Sequence, residues 1–320
     1  MEELMKTEGS YMQAVITNPN ATPGLVMRKV PMPIPAPNQA LIKVAAFSLN
    51  QGETRTALAA TTSYAPGWDF AGIVEKAAGD GSSPIAGAQV FGLVAQGAWA
   101  EYVIAPGAQM AEIPEGITYT QAASLPVAGA TALTCLEVAG TLLDRRVLIT
   151  GAAGGVGRLA CQLAALAGAK VFAVSRRPDL LQRLQADGVE PAGVFTTLAD
   201  AKTAGEYDVI LDSVGGDTLA TALTALARDG VCVNCGNSTR QPTTFNIGSS
   251  GWPFHRKRCI WIGRDPGSDY TPILTRLIGL VKQGRLHTSI DLELPWTKVA
   301  EAAERLTQQR VNGKIVLKVM

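Results

Sequence analysis

Short apolar runs separated by turn residues fill the N-terminal part of the chain: Tyr11 to Thr17, Leu25 to Val30, Ala40 to Ala46, Ala71 to Lys76, Gln89 to Ala95 and Ala98 to Ile104. Runs of this length predict the strands of a barrel-like or sandwich β domain. Between them, Pro31-Met-Pro-Ile-Pro-Ala-Pro37 cannot donate to a regular ladder and reads as an extended connector. The first strongly helical stretch is Gln121 to Ala139, with breaks expected near Pro126 and Gly129, and a domain hinge is placed there. Beyond it, strand and helix patterns alternate, with strands at Val147, Val171 to Val174, Val194-Phe195, Val209 to Asp212, Val231 to Val233 and Cys259 to Ile262. Such alternation predicts a parallel sheet with helices on both faces. At the end, the strand-like segments Leu286 to Leu294 and Lys314 to Val319 flank a helix over Trp296 to Gln309 and are expected to return to the β domain. The expected division is 1–127 with 286–320 for the β domain and 128–285 for the sheet between them.

Composition narrows the function without identifying it. The 320 residues, 47% hydrophobic and 17% charged, suffice for two cores. A net charge of +1 gives no broad basic field, so neither nucleic acid nor an anionic membrane is an expected partner. The dense basic run His255-Arg256-Lys257-Arg258 reads as a solvated stretch beside an edge strand. Met1 to Ser10 is polar, no early apolar run is long enough for a signal or a membrane span, and a cytoplasmic location is expected. Five cysteines do not form a disulfide framework. Cys232-Val-Asn-Cys235 has metal-pair spacing, yet the other cysteines are scattered at 135, 161 and 259 and the histidines are His255 and His287. No metal is therefore expected, and the pair reads as part of a buried strand.

Chemistry enters at Val147-Leu-Ile-Thr-Gly-Ala-Ala-Gly-Gly-Val-Gly157, where a buried strand runs into a glycine turn that opens a helix. Small residues let a pyrophosphate approach the backbone, and free N–H groups with the positive end of the helix dipole face it, which points to a dinucleotide. After the next strand, NAD sites carry an acidic residue for the ribose 2′-OH. Here Ser175-Arg176-Arg177 stand instead, suited to a 2′-phosphate, and NADP is favoured. The same letters fit Thr150-Gly-x-x-x-Gly155-x-Gly157, the short-chain dehydrogenase fingerprint. No tyrosine has a lysine four residues on, however, and about 145 residues precede the motif.

Further motifs occur in order: Asn50-Gln-Gly-Glu53, Gly67-Trp-Asp-Phe-Ala-Gly72, Gly97-Ala-Trp-Ala-Glu-Tyr102, Ala122 to Ala132, Asp212-Ser-Val-Gly-Gly216 and Gly313-Lys-Ile-Val-Leu317. With them the chain resembles the medium-chain dehydrogenase/reductase superfamily over nearly its full length, in particular its zinc-free quinone oxidoreductase-like branch. The resemblance implies an α/β protein with a GroES-like β-barrel domain plus a Rossmann doubly wound domain, an active cleft between them, and a homodimer. The last nucleotide-domain strand, Cys259 to Ile262, is expected to pair across the two-fold axis. It further implies that the backbone of Gly154, Gly155 and Val156 holds the pyrophosphate, that Ser175, Arg176 and Arg177 hold the 2′-phosphate, and that Thr131, Ser213, Gly236 and Asn237 line the cofactor. Asn50 matches the asparagine near the nicotinamide, although Gln51 and Glu53 replace the branch's proline and aspartate.

Zinc relatives carry a Gly-His-Glu motif and four closely spaced cysteines. This chain has Trp68 and Asp69 there and no cysteine before 135, so no zinc is expected. Tyr64 is a candidate proton donor, with water as the alternative, and Trp68 either stacks on a flat acceptor or packs. The expected activity is NADPH-dependent hydride transfer to a small molecule, a quinone or an α,β-unsaturated carbonyl. The rival readings are an enoyl-thioester reductase of the same superfamily and a non-enzymatic NADPH-binding sensor or structural protein.

Overall fold

The apolar-rich runs Tyr11–Thr17 (β1) and Leu25–Pro31 (β2) form strands that pair antiparallel from Tyr11 opposite Pro31 to Thr17 opposite Leu25. The computed structural model of the protein describes residues 10–22, 24–177, 179–246, 256–263, 265 and 267–320. His255, the first residue of the basic run, and Pro178 lie outside the described residues.

A seven-stranded sheet follows, built from Gln39–Leu49 (β3), Asp69–Lys76 (β4), Gln89–Leu93 (β5), Tyr102–Pro106 (β6) and Met110–Glu112 (β7), together with two strands from the end of the chain, Ile290–Pro295 (β14) and Lys314–Lys318 (β15). Its order is β14-β15-β3-β4-β5-β7, with β6 also on β3, and only the β14–β15 pair is parallel. The eleven-residue β3 is the spine: its first half takes β6 and its last four residues take β15. Phe47 on β3 stacks on Trp99 at 6.0 Å between centroids and meets Trp296 edge-on at 6.4 Å. The expected strand over Ala98 to Ile104 begins only at Tyr102, because Trp99 is fully buried and its backbone joins Pro66 and Val15 outside the sheet.

Helix Gln51–Leu58 (α1) leaves β3. Tyr119–Ala123 (α2) and Pro126–Ala139 (α3) lead into the second half. Proline at the start of α3 separates it from α2, as expected, but Gly129 breaks nothing: its N–H bonds Leu125 O at 2.6 Å. Gly129 is instead a packing residue, since a Cβ there would stand 2.8 Å from Leu277 Cδ1 on Thr271–Lys282 (α8).

The second sheet contains Arg146–Thr150 (β8), Lys170–Val174 (β9), Gly193–Phe195 (β10), Tyr207–Asp212 (β11), Leu226–Asn234 (β12) and Arg258–Trp261 (β13). All are parallel, in the order β10-β9-β8-β11-β12-β13. Its helices are Gly155–Leu166 (α4), Leu180–Ala186 (α5), Leu198–Thr203 (α6) and Gly216–Thr224 (α7). This is the doubly wound order, and its direction reverses between β8 and β11, where such sheets receive ligands beyond the strand ends. Near the C-terminus the expected helix from Trp296 divides into a 3-10 turn, Trp296–Lys298, and Val299–Thr307 (α9). Among the described residues no helix is long and apolar enough to cross a membrane.

One stripe of α4 joins the two sheets. Gly155, Arg158 and Gln162 share a helix face. Gly155 abuts the Lys314 side chain, Arg158 donates to Asn312 O at 3.4 Å, and Gln162 exchanges hydrogen bonds with the His287 backbone at 2.7 and 3.1 Å. Arg158 is held from behind by a buried bidentate pair with Asp187 at 2.6–2.9 Å.

Candidate functional site

The switch point is built at the ends of β8 and β11. Thr150 Oγ1 donates to Asp212 Oδ1 at 2.7 Å, and the other Asp212 oxygen accepts from Gly215 N at 2.9 Å and Asn234 Nδ2 at 2.8 Å, so the carboxylate ties three loop starts together. Gly151 turns the chain at φ +61°, a backbone state costly for other residues. Gly157 brings α4 against that turn, since a Cβ there would lie 2.3 Å from Gly151 O. Of the three amides expected to hold pyrophosphate, Gly154 N is taken by Gly151 O at 2.9 Å. Gly155 and Val156, in the first turn of α4, have N–H groups with no partner within the helix. The cradle fits a dinucleotide phosphate.

Beside it, Ser175 Oγ accepts from Arg177 N at 3.0 Å. The Arg176 and Arg177 guanidiniums both reach Gln309, one to its side-chain oxygen and the other to its backbone oxygen. Two cations converging on neutral oxygens across the two halves suit a site for a 2′-phosphate. Gln309, just past α9 and at φ +57°, was not foreseen from the sequence.

The centre of the site is a buried charge cluster. Lys314 Nζ, at the start of β15, donates to Leu49 O at 3.0 Å, Asn50 Oδ1 at 2.5 Å and Asp69 Oδ2 at 3.2 Å. Asp69, at the start of β4, also accepts from Ser48 Oγ at 2.6 Å, Asn50 Nδ2 at 2.8 Å and Val127 N at 2.9 Å. Its carboxylate thus caps the first turn of α3, the helix that carries the half-buried Thr131, where the dipole favours negative charge. Glu53 accepts from both the backbone and the side-chain nitrogen of Asn50, at 2.8 and 2.9 Å, while its second oxygen is buried without a partner. Burial, and next the Asp69 charge, push the Glu53 carboxyl up to about 8, so it is neutral at pH 7. Every polar atom of the Asn50 side chain is occupied. Asn50 is the hub of this network rather than a loose ligand.

Tyr64 lies in the loop between α1 and β4. Its backbone binds Thr17, and burial together with the neighbouring Glu53 raises its phenol above the usual value. Trp68 is half-buried with its ring edge against Gly52, where a Cβ would come within 2.9 Å. Beyond β11 and β12, Ser213 Oγ reaches Thr150 O at 3.4 Å and Gly236 O accepts from Asn234 Nδ2 at 2.9 Å. Asn237 folds onto its own turn, donating to Gln241 O at 3.1 Å. The turn meets the other half through Arg55 of α1, whose Nη2 donates to Ser238 O at 3.0 Å. The Cys232 and Cys235 thiols do not face each other: Cys232 sits opposite Cys259 in the sheet, and Cys235 Sγ lies 3.6 Å from Asp212 O.

Sequence reasoning singled out neither Lys314 nor Asp69 nor Glu53 as a site residue. The signal was there, as a lysine and an aspartate each opening a strand and followed directly by apolar core residues.

Residues 36–115 match the family described as alcohol dehydrogenase GroES-like domain, and residues 184–317 the family described as zinc-binding dehydrogenase. The chain is 28% identical over 316 residues to the chloroplast envelope quinone oxidoreductase homolog of Arabidopsis thaliana, across 92% of this chain and 94% of that protein. It is 31% identical over 245 residues to the mitochondrial NAD(P)H oxidoreductase RTN4IP1 of Bos taurus, across 70% of this chain and 62% of the relative. The solved quinone oxidoreductase from Coxiella burnetii superposes with a TM-score of 0.84 at 28% identity, across 97% of this chain and 100% of that one. The chain belongs to the medium-chain dehydrogenase/reductase superfamily. Zinc, which the second family's description implies, does not fit this member's centre. The Lys314 ammonium stands 3.2 Å from Asp69 Oδ2, the neighbouring Trp68 offers an indole, and no group of three His, Cys, Asp or Glu side chains converges among the described residues.

Proposed function

We propose that the protein is an NADPH-dependent oxidoreductase that transfers hydride, without zinc, to quinones or α,β-unsaturated carbonyls. The observation that carries this reading is the position of Lys314: its stem packs on Gly155 of the phosphate cradle and its ammonium holds Asn50 and Asp69. Gly155 and Val156 would hold the pyrophosphate of a dinucleotide, Ser175, Arg176 and Arg177 its 2′-phosphate, and Thr131, Ser213, Gly236 and Asn237 would line it beside the Asn50 centre.

When bound, the dihydronicotinamide supplies the hydride. Lys314 and Asp69 are positioning residues that fix the rotamer of Asn50, so the acceptor meets a rigid wall. Glu53, neutral at pH 7, leaves the centre with one ammonium and one carboxylate rather than a second buried anion. The Tyr64 phenol, which burial and then Glu53 raise above its usual value, is protonated at neutral pH; its O–H passes its proton to the reduced acceptor and is reprotonated from water. Two chains pair through β13, whose Trp261 is 70% exposed.

The test is NADPH oxidation at saturating cofactor with a panel of quinones, enones and enoyl thioesters. Turnover of quinones or enones supports the reading, turnover confined to thioesters replaces the acceptor, and tight NADPH binding without any turnover makes the protein a sensor.

A further inference from the structure

Arg55 of α1 meets the turn after β12 that carries Arg240, and the proposed reaction centre leaves both without a role. Arg55 is half-buried and reaches across to Ser238 O at 3.0 Å, which brings it to within two residues of Arg240 on the same turn. Arg240 is held at φ +60°, an uncommon state for a side chain of that size. Its N–H bonds Asn237 O at 3.3 Å, which keeps the turn closed. Burial, followed by the charge of Arg240, lowers the Arg55 pKa, so the two guanidiniums feel each other. Neither has a carboxylate partner among the described residues. No Asp or Glu occurs between Asp229 and Asp265, and Glu53, two residues before Arg55 on α1, is engaged with Asn50. Two like charges drawn together without a counter-ion destabilise the empty site, and an anion placed between them reverses the sign of the interaction. Arg55 lies five residues along α1 from Asn50, roughly 7.5 Å along the helix axis.

We propose that Arg55 and Arg240 recognise an anionic group on the acceptor, a carboxylate, sulfonate or phosphate borne a few bonds from the carbon or ring that is reduced beside Asn50. The assignment of this anion to the acceptor rests on the proposed hydride transfer; anion binding by the two arginines does not. The acceptor is then an amphiphilic molecule, flat and electron-poor at one end and charged at the other. A neutral quinone fills only the reactive half of the site.

Binding to the NADP-loaded protein, measured by titration calorimetry, separates these statements because no turnover is needed. The probes are anthraquinone-2-sulfonate and the neutral 2-(hydroxymethyl)anthraquinone. The sulfonate is expected to bind about tenfold tighter, and Arg240→Ala and Arg55→Ala are each expected to remove about tenfold of its affinity while leaving the neutral probe and NADP unaffected. The advantage should shrink with added salt. Equal affinity of the two probes for the unsubstituted protein overturns the proposal. A matching loss of NADP affinity in Arg240→Ala also overturns it, because the pair then serves the cofactor. If the sulfonate preference holds while no acceptor is ever reduced, the oxidoreductase reading fails and the anion site stands.

Discussion

Lys314 is the residue on which most of the site depends, and its buried charge makes it vulnerable. Replacing it with methionine leaves Asp69 buried without its counter-charge, and a loss of about 3–5 kcal/mol in denaturant unfolding is expected. The double variant Lys314→Met/Asp69→Leu should recover much of that loss, because an apolar pair carries no desolvation penalty; an additive loss would show that the ion pair is not what Lys314 supplies. Glu53 gives a pH signature. Its carboxyl titrates near 4.5 when unfolded and near 8 when folded, so between those values the folded state holds a proton that the unfolded state has released. The stability from the neutral form is complete below pH 4.5, falls by about 1.4 kcal/mol per pH unit as pH rises, and is gone above 8. Glu53→Gln should flatten that slope in thermal unfolding followed from pH 5 to 8. Asn50 was legible from its motif as a residue of interest, and Tyr64 from its position as a candidate. Their partners were not, because hydrogen bonds between β3, β4 and β15 join residues that the sequence separates widely.

Strands β8, β9 and β11 of the parallel sheet were read nearly to their ends, since buried β-branched runs leave little ambiguity, whereas β12 begins at Leu226, five residues before the expected Val231. The misreadings have particular causes. Gly129 looks like a breaker, but α3 is held straight by the packing of α8 across it. Leu277, fully buried against Gly129, is expected to cost about 2–5 kcal/mol as Leu277→Ala. A loss below about 1 kcal/mol in the same unfolding measurement would contradict that packing role. The short β7 falls below the length at which alternation is readable. The α4 stripe drew no reading from the sequence: Arg158 and Gln162 are polar residues of an amphipathic helix, yet both are buried and bind the returning C-terminal segment.

Taken across both sheets, the sequence announced a nucleotide fold but not how its two halves are locked. The α4 stripe, the Arg176 and Arg177 contacts with Gln309, and Arg55 on Ser238 all cross between them. The proposed preference for NADPH rests on one of these crossings. Arg176→Ala should weaken NADPH about tenfold or more and NADH little, by fluorescence titration, and equal effects would remove Arg176 from the 2′-phosphate. At β13, sedimentation at micromolar concentration should find a dimer, and a monomer would withdraw the pairing. The claim of hydride transfer is tested most directly by NADPH deuterated in turn at each of the two C4 positions, with an enone as acceptor. One epimer is predicted to deliver its label to the β-carbon of the product and the other to deliver none; product that carries no label from either would contradict the account.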